Sequence, residues 1–181
     1  MDANTLAASL QEAVPAAQIE SVPSRDLHAT LYVSGEALLP VARALRDRPE
    51  FGFDLLADVV AVDLWPHEPR FELAYILVST RNRHRLRLKV RLAGQSAHVA
   101  TLIGVWPAAN WLEREVWDLF GISFEGHPDP RRLLMPEDWE GFPLRKDYPV
   151  QIRMKPRATE ALQVTEDEFR ANVMKDRLTR G

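Results

Sequence analysis

The spacing of apolar positions divides the chain into a patterned front and a rear built on other rules. Leu6, Leu10 and Val14 recur four apart and predict a short helix over 3–14. In LHATLYV (27–33), Leu27, Ala29, Leu31 and Val33 alternate with more polar neighbours, the period of a strand. Ser34 can cap a following helix through about Arg46, or Pro40 can mark its first turn. The valine- and leucine-rich segment FDLLADVVAVDLW (53–65) reads as a buried strand. Asp58 and Asp63 interrupt it, and a buried carboxylate there needs partners that the sequence does not name. WPHEPR (65–70) then turns the chain into FELAYILVS (71–79), and HRLRLKVRL (84–92) follows. Consecutive strands with short connections predict an antiparallel meander packed by helices on one face, an α+β fold.

The third of these strands has the sharpest period. Arg83, Arg85, Arg87, Lys89 and Arg91 alternate with His84, Leu86, Leu88, Val90 and Leu92, so one face is cationic and the other is core. Such a stripe is a docking face for an acidic protein or a nucleic acid, a solvated sheet face, or an edge strand charged against aggregation. A net charge of -3 and the lack of an aromatic stacking platform put nucleic acid last.

WPAANWLEREVWDLFG (106–121) reads as a helix, with Pro107 suited to its first turn and Gly121 to the left-handed position after its last. Ala109, Leu112, Val116, Leu119 and Phe120 share its expected core face, and Arg114 and Asp118 can pair on the opposite side. Trp111 and Trp117 fall outside the apolar stripe and call for a cover. Beyond Gly121 the period ends, and prolines at 128, 130, 136, 143 and 149 forbid a long helix. Phe124, Leu133, Leu134, Met135, Trp139, Phe142 and Tyr148 are anchors that disordered segments lack. The expected organisation is therefore one α+β core domain over 1–121 and an extended, proline-rich C-terminal arm over 122–181 that docks on partners. Thr165 and Glu168 form a capping pattern for a short helix near 165–177.

Composition narrows the chemistry. At 181 residues with 46% apolar content, the chain can bury one real core. Cysteine is absent, which excludes disulfides, thiolate catalysis and any self-made iron–sulfur or cysteine-type zinc site. His28, His67, His84, His98 and His127 never fall at the spacing of a helical metal pair. No run reaches the length of a membrane span, and the N-terminus lacks a signal-peptide pattern. An acid/base pair could be drawn from Glu113, Glu115 and Asp118, but carboxylate density without a sugar-binding context is a weak signal; His127 with Asp129 suggests a dyad, but no serine or cysteine nucleophile stands nearby in sequence. Arg131, Arg132, Arg145 and Lys146 could clamp a phosphate. Nine acidic residues interleave with these cations between 106 and 148, a mixture better suited to reciprocal ion pairs at a protein interface.

The run ERE-x-W-D-L-F-G-I-x-F-x-G-H-P-D-x-R-R-L-L, followed by PLRKDYP, closely resembles the signature of the 30-kDa-type subunit family of respiratory complex I. That complex is the proton-pumping NADH:quinone oxidoreductase. The likeness is dense from Asn110 to Pro149 and weaker back through FDLLADVVAVDL to the first helix. Pro130 and Phe142 depart from it, standing where the family usually has leucine and histidine. The resemblance implies a non-catalytic subunit with no cofactor of its own, FMN and iron–sulfur clusters being carried by partner subunits. It implies the large 49-kDa-type subunit, the quinone-site iron–sulfur subunit and the ferredoxin-like subunit as partners. It also implies a peripheral place on the cytoplasmic side of the inner membrane. On that reading Glu113, Arg114, Glu115 and Asp118 make helix-borne contacts, and Gly121 and Gly126 allow turns. His127, Arg131, Arg132, Arg145, Lys146 and Asp147 make inter-subunit or arm-to-domain bridges, and Trp117, Pro128 and Asp129 complete the signature. Two other readings stay open: the equivalent subunit of a membrane-bound hydrogenase or ferredoxin-linked complex, and a free-standing hydrolase using Glu113 or His127.

Overall fold

A computed structural model describes residues 3–24, 26, 28–149 and 165–170. Helix α1 (Ala3–Ala13) turns Leu6 and Leu10 inward, as the four-residue spacing requires. A short strand β1 (Ile19–Val22) follows, pairing antiparallel with β2 (Ala29–Val33). Four residues carry too little alternation for β1 to be read from sequence. Helix α2 (Leu38–Asp47) buries Leu38, Val41, Ala42 and Leu45, one continuous stripe. It starts later than a Ser34 cap implies: the Ser34 hydroxyl accepts the Ala37 N–H (3.3 Å) in a preceding turn, and Pro40 falls in the first turn of α2.

The meander read from the sequence is β3 (Leu55–Asp63), β4 (Phe71–Ser79) and β5 (His84–Leu92), each pairing antiparallel with the next. Strand β2 joins β5 in parallel, so the sheet is mixed, mostly antiparallel, in the order β1-β2-β5-β4-β3. Two short strands, β6 (His98–Ala100) and β7 (Ser123–Glu125), pair in parallel on either side of helix α3 (Ala109–Phe120). The inward face of the sheet (Leu31, Val33, Leu56, Val59, Phe71, Leu73, Leu77, Leu86, Leu88, Val90) joins the buried residues of the three helices in one core. Removing that apolar surface from water is the main stabilising term.

Two expectations about strand environment change. Segment 53–65, read as a buried strand, is an edge strand buried on one face alone: Leu56, Val59, Ala61 and Asp63 point inward, while Val60 and Val62 are each 42% exposed. The cationic strand is not an edge but the centre of the sheet. Its charges are largely met at home: Arg87 pairs with Asp26 (2.6 Å), Lys89 with Glu72 (2.5 Å) and Arg91 with Glu20 (3.3 Å). Lys89 and Arg91 also lie over the Tyr32 ring.

The chain forms two compact units, Met1–Tyr148 and Pro149–Gly181, a boundary different from the expected division at Gly121. In the second unit, residues 166–170 are helical. Thr165 and Glu168 there cap each other, the Thr165 N–H donating to Glu168 Oε2 (2.9 Å) and the Glu168 N–H to Thr165 Oγ1 (3.4 Å). The rest of the expected helix to 177 lies outside the described residues.

A candidate interface on helix α3

Helix α3 ends as its glycine predicts, with Gly121 in the left-handed region (φ 72°) and its N–H bonded to the Trp117 carbonyl. Its faces are not those of the apolar stripe. Ala109 and Val116 are buried, but so are Glu113, Arg114 and Asp118, whereas Leu112, Leu119 and Phe120 are half-buried. The expected Arg114–Asp118 pair does not form. Each reaches instead for the chain that follows the helix, and this is why both are covered.

Asp118 is fully buried and organises residues 132–135. Its Oδ2 accepts the N–H groups of Leu133, Leu134 and Met135 at 3.0, 2.7 and 2.9 Å, and Arg132 Nη1 donates to its Oδ1 at 2.7 Å. Burial pushes this carboxyl up, but the Met135 N–H, the Arg132 guanidinium and the other two N–H groups hold it below the usual carboxylate range. Arg132 also donates to the carbonyls of Trp139 and Gly141 and lies over the rings of Trp117 and Phe142. Trp117, expected to need a cover, receives one. Arg114 donates to the carbonyls of Arg131 and Arg132, lies 3.5 Å from Asp129 and stacks on Trp111. Asp129 also takes a forked bond from Arg131, whose side chain is otherwise exposed.

His127 is fixed by both ring nitrogens: Nε2 donates to the Asn110 carbonyl (3.1 Å) and Nδ1 accepts the Asp129 N–H (3.1 Å). The Asp129 carboxylate is engaged with arginines, so no histidine–carboxylate dyad forms. A hydrolytic site using His127 would need a ring nitrogen that this geometry leaves occupied. Beside it, a cavity of about 100 Å³ is lined by Glu113, Arg114, Trp117, Ser123, Phe124, His127 and Pro130. That is smaller than the few hundred Å³ typical of a small-molecule site.

The far end of the segment is held by a residue that carried no functional signal in the sequence, Arg70. Arg70 donates to both oxygens of Asp63 (2.9 and 2.8 Å) and pairs with Asp147 (2.8 Å). Asp63, the carboxylate without a nameable partner, also accepts the N–H groups of Trp65 and Lys146. The Arg70 guanidinium, against the effect of burial, holds Asp63 well below the usual carboxylate range. Asp58 is exposed and accepts the adjacent Val59 N–H. Arg145 lies over the rings of Phe71 and Phe142, 5.2 Å from each, while the Lys146 side chain is exposed. Residues 127–148 therefore form a strap, tied to α3 at one end and to the β3–β4 turn at the other. Glu115, Gly126 (φ 80°) and Pro128 are exposed and take no part in these ties.

Phe142 lies directly over Gly121, so a Cβ there would overlap its ring, and the positive φ adds backbone strain. Gly121→Ala is expected to cost about 2 kcal/mol in denaturant unfolding, part of which Phe142→Ala returns. Additive losses in the double variant would sink this account of the contact.

Glu113 points away from the strap. It is fully buried, with Thr101 Oγ1 donating to Oε2 (2.5 Å) and the Leu102 N–H to Oε1 (2.7 Å). Burial pushes its carboxyl up to about 7 despite these bonds. The buried Tyr75 hydroxyl, without a hydrogen-bond partner among the described residues, is raised by burial and by the Glu113 charge.

The class defined by fold and site is an α+β domain that uses buried charge to hold an extended strap. Among the described residues there is no group of three metal-ligating side chains. Residues 31–153 match the family described as respiratory-chain NADH dehydrogenase, 30 Kd subunit, and the chain belongs to that family. It is 48% identical over 151 residues to the C-type subunit of NADH-quinone oxidoreductase from Roseiflexus sp. (strain RS-1), covering 83% of this chain and 86% of that one. The C-type subunit from Geobacter sulfurreducens is 47% identical, with 67% of this chain and 75% of that one covered. Among solved structures, the trypsin-resistant fragment of Nqo5 matches with a TM-score of 0.52 at 33% identity, covering 68% of this chain and 98% of that one. A chain of the membrane-bound sulfane sulfur reductase, an archaeal respiratory membrane complex, matches with a TM-score of 0.66 at 27% identity, covering 81% and 85%.

Proposed function

We propose that this chain is the non-catalytic 30-kDa-type subunit of a proton-translocating NADH:quinone oxidoreductase, holding neighbouring subunits in place beside the quinone site. The observation that carries the reading is the 48% identity to the Roseiflexus C-type subunit over 83% of the chain. The strap adds a physical rationale: its ion pairs stiffen an extended segment in advance and lower the entropy lost when a partner docks. The docking face would be the outer side of α3 and the strap, where Trp111, Leu134 and Leu144 are 58, 59 and 52% exposed. The expected partners are the 49-kDa-type subunit, the quinone-site iron–sulfur subunit and the ferredoxin-like subunit. These would carry the iron–sulfur clusters and the quinone site; FMN would sit in the NADH-oxidising module. Among the described residues no helix is long and apolar enough to cross a membrane. The expected place is peripheral, on the cytoplasmic side.

The sulfane sulfur reductase likeness favours a second reading, the equivalent subunit of a related membrane complex, but at 27% identity it is outweighed. Native purification through a tag on the full chain separates them. Iron–sulfur and quinone-site subunits with a flavin-containing NADH oxidase should accompany it. Their absence overturns the assignment, and a different catalytic module supports the second reading. Arg145→Glu with Lys146→Glu is expected to abolish assembly and quinone reduction together, because it puts one carboxylate where a cation lay over two aromatic rings and another at an exposed position of the docking face. A fully assembled but inactive complex would contradict a docking role.

A further inference from the structure

The face of the sheet turned away from the helices is apolar on one half and cationic on the other. On β3, Leu55, Val60 and Val62 project outward at 45, 42 and 42% exposure, and Leu64 and Trp65 extend the surface at 36 and 50%. The register sets Leu55 opposite Val78, Asp58 opposite Ile76, Val60 opposite Ala74 and Val62 opposite Glu72, so the outward rows of β3 and β4 form an apolar field broken by the exposed Asp58 and by Glu72, which Lys89 answers. Its border on β5 is charged unevenly. Arg87, Lys89 and Arg91 are answered by Asp26, Glu72 and Glu20. Arg83 and Arg85 are exposed at the β4–β5 turn and have no ion pair among the described residues; Arg85 lies in the same cross-strand row as Val78 and Leu55. Strand β3 is also an edge, but the bulge between Leu56 and Asp58, the exposed Asp58 and the inward Asp63 blunt it, so the surface it offers is its face.

We propose that this outer face of β3 and β4 is a second docking surface, for another subunit that is apolar over Leu55, Val60 and Val62 and carries carboxylates facing Arg83 and Arg85. The proposal rests on the chain's reading as a subunit of a larger complex. Large apolar side chains gathered on one exposed face among polar groups are the usual mark of a covered surface. A cover without carboxylates would desolvate two arginines and leave them unpaired, which is strongly unfavourable. A second copy of this face sets four such arginines against two Asp58 carboxylates and meets that requirement only in part.

Because the chain has no cysteine, Val62→Cys makes its sole thiol, and alkylation by a polyethylene-glycol maleimide reads that site as a mass shift of this chain alone. In the isolated full chain the thiol is expected to react as an exposed one at every protein concentration. In the purified complex it should react about tenfold more slowly or less. Adding Arg85→Glu should return the rate toward that of the isolated chain, while Arg85→Lys keeps the protection. An unprotected thiol in the complex overturns the proposal. So does protection in the isolated chain: independent of concentration, it means the chain's own residues cover the face, and rising with concentration, a second copy. Protection unchanged by Arg85→Glu overturns the acidic partner. If the tagged wild-type chain brings down no complex, the subunit reading fails first and takes this proposal with it.

Discussion

Asp118→Ala is expected to destabilise the full chain by about 3–5 kcal/mol and to release the strap from α3. The carboxylate is fully buried, accepts three successive backbone N–H groups and neutralises Arg132. Alanine leaves those three donors and a largely covered guanidinium without their acceptor, and each loss carries a desolvation cost. Asp118→Asn keeps the volume and one acceptor oxygen but not the charge, so a smaller loss is expected. Denaturant unfolding measures the first effect, and tryptic cleavage after Arg131 or Arg132 measures the second. A loss below about 1 kcal/mol, the scale of an exposed pair, would show that the strap does not depend on this anchor.

Glu113 is expected to give the chain a pH dependence of the opposite sign. Its carboxyl is pushed from an ordinary 4.5 up to about 7, so between those values the folded chain holds a proton that the unfolded chain has lost. Folding is thus favoured on the acid side of this window. The contribution falls as pH rises from about 4.5 to about 7 and is flat above it. The expected change is on the order of 3 kcal/mol. Asp63 and Asp118, held low, act the other way, and their stabilisation is lost as pH falls below the ordinary carboxylate range. Glu113→Gln keeps an acceptor for the Leu102 N–H and cannot titrate, so its unfolding free energy at pH 8 relative to pH 5 should lack the wild-type fall. Parallel profiles for the two chains would rule out Glu113 as the titrating group.

The two variants report on opposite sides of one helix. α3 directs Glu113 inward, where a charge is disfavoured, and Asp118 outward, where the strap surrounds a charge with donors. A helix of this size could have buried leucines in both places. Instead Arg114 and Arg132 donate to backbone carbonyls, and Asp118 accepts backbone N–H groups, of a segment with no helix or strand to satisfy them. A proline-broken segment packed on a domain needs such partners. The charge density of 111–149 is thus largely accounted for inside this chain, and the exposed Trp111, Leu134 and Leu144 are what it offers outward.

Period was legible and partnership was not. Alternation along 84–92, the four-residue spacing in α1 and the glycine ending α3 each depend on a local repeat or a single backbone angle, and each stands as read. The strand at 53–65 was placed, but its apolar run does not tell an edge from a centre, since that depends on which strands arrive beside it. The parallel β2–β5 pair, the short β1 and the β6–β7 ladder come from long-range pairing with little or no local trace. The site residues of α3 and the strap were singled out by composition and by resemblance, and Asp63 as a carboxylate without a nameable partner; Arg70, Thr101 and Tyr75 were not, being isolated polar residues in ordinary sequence. Sequence by itself determined the α+β class, the family and the segment where charge and proline gather, because these rest on local period and residue identity. Only the tertiary structure decided that Arg70 answers Asp63 and Asp147 across the chain, that Asp118 and Arg114 turn to the strap rather than to each other, and that Val60 and Val62 are left facing outward. Pairing energy depends on distance in space, and separation along the chain does not reveal it.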